Sequence, residues 1–345
     1  MVRQKQDGYI LRDKTKIREG GSYAAALNYQ QKIYFSMKIT SKILNRYFLI
    51  CIILTALSAK AQQEPQYTQY MYNTLTVNPG YTGSPGFLEA TLQHRSQWIG
   101  IDGAPTTQAL TIHAPVNDKV GLGFSAVNDE IGPSEEVYLD GNFSYTIPVS
   151  FNSKIAFGLK AGAKVLNINW SKGTYFQGGD PLLNTNVNNK ISPSVGAGVY
   201  YYTDKWYAGV SVPNFIRSDY YDDIKEAAVS DRLHYYVIGG YVFDISDNLK
   251  FKPAFMAKIV SGSPITADIS ANFLISERVT LGGAYRYDDA VSALAGFQIT
   301  KEFFVGYSYD YSVTELNKYN DGSHEIIVRF QLVPKTARIK SPRFF

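Results

Sequence analysis

Histidine is the side chain best suited to move protons near neutral pH or to hold a metal, and this chain has four: His94, His113, His234 and His324. No two stand at i, i+2 or i, i+4 with carboxylates between them, which is the spacing a metal site or a helix-borne base requires. A membrane hydrolase would need a His-Ser pair on adjacent positions of one wall, and the spacing specifies none. The single cysteine, Cys51, lies in an apolar run near the N-terminus, so thiolate metal sites, disulfides and a cysteine nucleophile are not expected downstream of it. Acidic residues cluster at Asp129, Glu130, Glu135 and Glu136, and again at Asp219, Asp222, Asp223 and Glu226. Neither group has the ordered ligand spacing of a calcium loop, so solvated acidic loops are the expectation. The Gly121-Leu-Gly123 and Gly196-Ala-Gly198 runs have no following helix to make them phosphate loops. They read as small inward-facing residues or bends. No catalytic residue, cofactor or metal is assigned.

One stretch is better equipped for recognition than for catalysis. Arg95-Ser-Gln-Trp-Ile-Gly-Ile-Asp-Gly-Ala-Pro-Thr-Thr107 puts arginine, glutamine and tryptophan at a strand end, followed by a Gly/Pro-shaped turn. Trp and Arg dominate binding hot spots, although Trp98 also suits an interfacial girdle and Arg95 an inward charge. The candidate partner-binding or scaffold residues are Arg95, Gln97, Trp98, Asp102, Asn78, Pro79, Asp129, Tyr175 and Phe176.

What must position them is a series of strands. Val137, Leu139, Gly141, Phe143, Tyr145 and Ile147 alternate with Tyr138, Asp140, Asn142, Ser144 and Thr146, and the same period recurs in 119–128 and 154–165. Successive strand side chains face opposite ways, so each segment has one apolar and one small or polar face. Fourteen such segments follow one another: 87–98, 107–114, 119–128, 137–147, 154–165, 192–202, 205–212, 233–243, 249–259, 264–274, 279–287, 291–299, 303–311 and 323–332. Alternation alone fits both a sandwich and a transmembrane barrel. The connections separate them. Short turns (115–118, 148–153, 203–204, 246–248, 276–278, 300–302) alternate with mostly longer loops (99–106, 129–136, 166–191, 213–232, 312–322), although 260–263 and 288–290 on the loop side are short too; the tendency is that of an outer-membrane barrel with periplasmic turns and external loops. Lys250, Lys252 and Lys258 on one face of one strand point to a wet lumen rather than a dry core. The 27 tyrosines against 19 phenylalanines suit interfacial girdles. The expected fold is therefore an all-β, transmembrane, antiparallel up-and-down barrel of about fourteen strands, with a soluble tyrosine-rich sandwich as its rival.

The N-terminus agrees with export. Residues 1–61 hold eleven Lys and Arg against three Asp and Glu, so the overall +4 leaves −4 for residues 62–345. The basic balance thus belongs to the leader, and nucleic acid is not an expected partner. Residues 37–61 read as a signal peptide: basic Lys38, Lys42 and Arg46, an apolar core, and Ala59-Lys60-Ala61 at the cleavage site. Residues 1–36 then read as a mis-called upstream extension. Residues 62–86, polar, aromatic and rich in turn formers, read as a lead-in segment below the barrel or folded into its mouth. The barrel follows over 87–333 and a periplasmic tail over 334–345.

The motifs have a family likeness. Gln69-Tyr-Met-Tyr-Asn-Thr-Leu-Thr-Val-Asn-Pro-Gly-Tyr-Thr-Gly83 resembles the N-terminal signature of the PorP/SprF family of Bacteroidota, with Gly80 and Thr82 where alanine is usual. Arg95-Ser-Gln-Trp98 with Gly103-Ala-Pro-Thr-Thr107, then Val127-Asn-Asp-Glu-Ile-Gly132, resemble its second and third signatures, and Ser341-Pro-Arg-Phe-Phe345 its tail. The resemblance implies an integral protein of the bacterial outer membrane, tied to type IX secretion and gliding motility. The expectation is a non-enzymatic barrel that assists export or surface anchoring of a partner, such as an adhesin-type C-terminal domain, or docks periplasmic secretion components. Outer-membrane lipid would be its other partner. A passive pore for small solutes, with Lys160, Lys164, Lys250, Lys252 and Lys258 in its lumen, is the alternative.

Overall fold

A computed structural model describes residues 65–173, 186–216, 232–260 and 263–333. Tyr175, Phe176, the acidic cluster at 219–226, the signal segment and the tail lie outside these. Among the described residues fourteen strands follow the expected order: β1 (Leu88–Ser96), β2 (Thr106–Pro115), β3 (Val120–Ile131), β4 (Ser134–Ser150), β5 (Ser153–Ile168), β6 (Val187–Thr203) and β7 (Trp206–Val212). Then come β8 (His234–Tyr241, resuming after Val242 as Phe243–Ser246), β9 (Leu249–Val260), β10 (Thr266–Ile275), β11 (Val279–Arg286), β12 (Ala290–Gln298), β13 (Phe303–Ser312) and β14 (Ser323–Leu332). Each is antiparallel to the next, and β14 pairs with β1 from Leu88↔Leu332 to Ser96↔His324. The sheet closes on itself, which leaves no edge along the seam.

The two faces are inverted relative to a soluble protein. Leu122, Phe143 and Leu159 lie side by side across β3, β4 and β5, and all three are exposed. Asp140, Asn142 and Ser144, the alternating residues of β4, are buried. The same inversion holds across β9, β10 and β11, where Phe255, Ile269 and Tyr285 face outward and Met256, Asp268 and Arg286 inward. An apolar outer band with a polar interior is stable only where hydrocarbon replaces water outside. Aromatic rings edge the band: Trp206, Tyr241 and Phe243 near the turn end, Tyr285, Tyr287 and Tyr311 near the loop end. This is a membrane barrel and not a sandwich.

One expected loop is absent. Residues 129–136 are not a connection, because β3 runs to Ile131 and β4 starts at Ser134, leaving a two-residue turn at Gly132 and Pro133. Gly132 takes φ +57°, which a tight hairpin needs. The ladder carries Asp129 opposite Glu136 and Glu130 opposite Glu135. Here both faces of the hairpin are polar, so the apolar/polar contrast that marks a strand in the sequence is lost while the pairing continues.

Replacing Leu159 with arginine places a charge in the apolar outer band. Folding into lipid vesicles should then be destabilised by about 2–4 kcal/mol, judging from arginine at a bilayer midplane. Denaturant titration checks this, and a neutral result would mean that lipid does not contact this face.

Candidate functional site

The barrel encloses its own N-terminal segment. Residues 67–75 and 77–80 are all buried, and their hydrogen bonds run to inward-facing groups of the wall. The chain passes from one end of the lumen to the other. Thr68 lies beside Arg95, Asp310 and Glu325, near the end that carries the loops. Asn73 lies one step further in, donating to Gln93 Oε1 (3.1 Å) and accepting from Thr111 (3.0 Å). Thr82 and Gly83 reach the turn end, where Ser144 donates to the Thr82 carbonyl (2.6 Å) and Gly83 N–H to His113 Nδ1 (3.1 Å). β1 begins there at Leu88. The lead-in segment therefore extends well beyond the mouth.

Its local structure follows from its turn formers. Asn78 caps a 3-10 turn at Pro79–Tyr81, its side chain accepting from Gly80 N–H at 2.8 Å, with proline at the first position. The same side chain donates to the Val199 carbonyl (3.1 Å) of β6. The strand glycines make room for this turn. A Cβ on Gly158 would stand 2.1 Å from Gly80 N, and one on Gly198 2.2 Å from Asn78 Oδ1. A Cβ on Gly121 would stand 2.4 Å from the Thr82 carbonyl. Gly121 and Gly198, with Gly158, are thus small inward-facing residues that form slots for the Asn78-Pro79-Gly80 turn and the residues after it.

Aromatic packing fills the middle. Tyr70, Met71, Tyr72 and Val77 join Tyr200, Tyr207, Ile238, Met256, Phe304 and Ile327 in one buried cluster. Tyr72 and Phe304 have ring centroids 5.6 Å apart.

At the loop end the contacts are ionic. Arg95 bridges Asp310 (2.7 Å) and Glu325 (3.1 Å), all three at most 3 % exposed. Glu325 also accepts the backbone N–H groups of Thr68 and Gln69, each at 2.9 Å, and Gln93 Nε2 at 2.8 Å. Arg286 pairs with Asp268 (2.8 Å) and Asp289 (3.2 Å) and reaches Thr68 Oγ1 (3.4 Å). Sequence reasoning singles out Arg95 but misses Asp310, Glu325, Arg286 and Asp268. The available signal was a charged residue at an inward position close to the loop end of each strand.

The expected lumen lysines are mostly engaged. Lys160 pairs with Asp140 (3.0 Å) and Lys164 with Glu136 (3.9 Å). Lys252 donates to the Met71 carbonyl (3.4 Å) and lies 5.4 Å from the Tyr72 ring centre. Lys258 is buried as well, and Lys250 sits near the turn end within 3.8 Å of Glu277. Among the histidines, His113 faces inward toward Glu89 (3.4 Å), while His94 and His324 sit on the outward-facing rows of β1 and β14. His324 bonds Tyr307 (2.6 Å) and His94 bonds Ser96 (3.1 Å).

The remaining candidates form the rim. Gln97 N–H donates to Pro105 O (2.9 Å), closing the 97–105 turn, in which Trp98, Gly100 and Gly103 all have positive φ. Ile99 exchanges backbone bonds with Gly322 (2.9 Å) and Asp321 (2.8 Å). Trp98 N–H reaches Ser323 Oγ (3.1 Å), and Gly132 N–H reaches Gly103 O (2.9 Å). Asn169 N–H in turn reaches Pro133 O (2.8 Å). Loops from four hairpins are stitched into one rim. Asp102 is exposed at its crest, whereas Asp129 is buried and accepts from Thr107 Oγ1 (2.5 Å). Arg95, Asn78, Pro79 and Asp129 hold the interior, and Gln97, Trp98 and Asp102 belong to the rim.

A closed lipid-facing barrel filled by its own leading segment defines a plugged integral protein of the bacterial outer membrane. Residues 59–330 match the family model described as type IX secretion system membrane protein PorP/SprF, and the chain belongs to that family. No match was found among curated proteins. Among solved structures, a FadL homologue of Pseudomonas aeruginosa is 14% identical over 78% of this chain and 94% of its own, with a TM-score of 0.44. The monoaromatic hydrocarbon channel CymD (10% identity, 75% and 91% covered) and the Ralstonia pickettii toluene transporter TbuX (8%, 75% and 92%) each give 0.46.

Two substitutions probe the interior. Gly158→Ala should lower the thermal unfolding midpoint by displacing the turn at Gly80, an overpacking cost of about 1–3 kcal/mol. Glu325→Ala leaves Arg95 buried with one carboxylate fewer and should cost about 3–5 kcal/mol. Heat-modifiable gel migration in detergent measures both.

Proposed function

We propose that this protein is a non-enzymatic docking barrel of the type IX secretion and gliding system, which assists export or surface anchoring of a partner protein. The partner class is an adhesin-type C-terminal domain, with periplasmic secretion components as further contacts. The observation that carries this reading is the filled lumen. A wall whose inward glycines are fitted to its own N-terminal turn is built to be closed, which leaves the stitched rim as the surface with work to do. Gln97, Trp98 and Asp102 present an indole, an amide and a carboxylate on that rim, a chemistry suited to protein contact. Arg95, Asn78, Pro79 and Asp129 serve as scaffold beneath it. Tyr175 and Phe176, outside the described residues, are proposed as contacts on sequence grounds.

Deleting the gene should release the partner adhesin from the cell surface into the medium. Surface immunolabelling of the adhesin checks this, and unchanged display would overturn the reading. The alternative, a passive pore for small solutes, draws on the inward lysines. Those described are largely engaged with carboxylates or with the plug, so the purified protein should be silent in planar bilayers. Removing residues 65–86 should convert it to a conducting barrel.

A further inference from the structure

The loop-end grip on the N-terminal segment differs in kind from the rest of the plug. Below it, residues 77–83 sit in slots shaped to one backbone path, and Tyr70 and Tyr72 are anchored in the aromatic cluster. Above Tyr70 the segment is held by Glu325 through two successive backbone N–H groups and by Asp310, Arg95 and Arg286 through one hydroxyl. The Gln69 side chain adds one bond, Nε2 to the Glu325 carbonyl at 3.3 Å. Pro65 and Gln66 are half-exposed at the mouth. The Tyr67 ring is buried in the same stretch, so the grip reads main chain, one hydroxyl and one aromatic ring, which an extended segment bearing Thr and Tyr offers.

Nor does its present occupant exhaust it. Asp268 Oδ2 and Arg95 Nε are buried without a hydrogen-bond partner, on side chains at least nine-tenths buried. Buried polar atoms left unpaired carry a desolvation cost that a better-matched ligand would relieve.

We propose that Arg95, Asp268, Arg286, Asp310 and Glu325 form a peptide-binding socket at the loop-end mouth, filled in this state by residues 65–69. Its ligand in trans is an extended, hydroxyl-bearing segment of a docked partner. This rests on the docking reading above and adds to it the place where a partner's chain would enter. The arithmetic suits a docked ligand rather than a free one. A tethered occupant has an effective concentration on the order of millimolar, so a free peptide competes only at such concentrations. A segment carried by a partner already seated on the rim would meet the occupant on equal terms.

The test uses the full chain in detergent with Cys51→Ser and a spin label on Gln66→Cys. A synthetic peptide of residues 65–69 should mobilise the label at millimolar concentration, and the same peptide with Thr68→Val should need about tenfold more, the equivalent of 1.4 kcal/mol. A label that no peptide mobilises would overturn the socket, as would equal action of the two peptides. Loss of adhesin display concerns the rim as a whole, so a failed peptide experiment leaves the docking reading standing and removes only the socket.

Discussion

Hydrocarbon on the outside is the constraint from which the rest of this structure follows. Lipid cannot hydrogen-bond, so the backbone must close its ladder completely, as the Leu88–Leu332 seam does. Lipid also accepts the apolar rows, so Leu122, Phe143 and Leu159 need no core. That leaves the polar alternates facing a cavity. Asp140, Asn142, Asp268, Arg286, Asp310 and Glu325 all point there, and within a narrow barrel each must find water, a counter-charge or a chain to bond.

The N-terminal segment is the answer this chain gives. It is polar enough to meet the wall and aromatic enough to fill the space between. Its conformation is fixed less by its own propensities than by the wall. The turn at Asn78, Pro79 and Gly80 fits because Gly158 and Gly198 lack a Cβ where it approaches. Plug and barrel thus specify each other, and the turn and its opposing glycines work as one unit although they lie far apart in sequence.

This explains what was legible beforehand. The order and number of strands were readable because each buries nothing outward and so displays a clean period of two. Loop parity pointed to the membrane as a tendency that the two-residue turn at 132–133 breaks, and turn formers marked residues 78–80 and 84–86. The plug's path was not readable, because no local pattern says which glycine faces which turn. The ion network was equally hidden. Arg95 announces itself beside Trp98, but Asp310 and Glu325 are single polar residues in alternating strands, given meaning only by closure of β14 on β1. The 129–136 hairpin was missed because a strand polar on both faces carries no amphipathic signal.

The division between a slotted lower plug and an ionically held upper tip has a further consequence for how the fold can respond. Packing in slots is steep: a displacement of an ångström meets backbone atoms at Gly158 or Gly121, so that part is either seated or out. Ionic and main-chain contacts at Glu325 are exchangeable, since water or another chain can supply the same donors. Any signal passing between the rim and the interior would therefore act on residues 65–69 first. The Ile99–Gly322 stitch and the Arg95–Glu325 pair lie at the same ends of β1 and β14, so a force on the 97–105 turn falls on the strands that hold the tip. That arrangement links the rim mechanically to the mouth of the lumen.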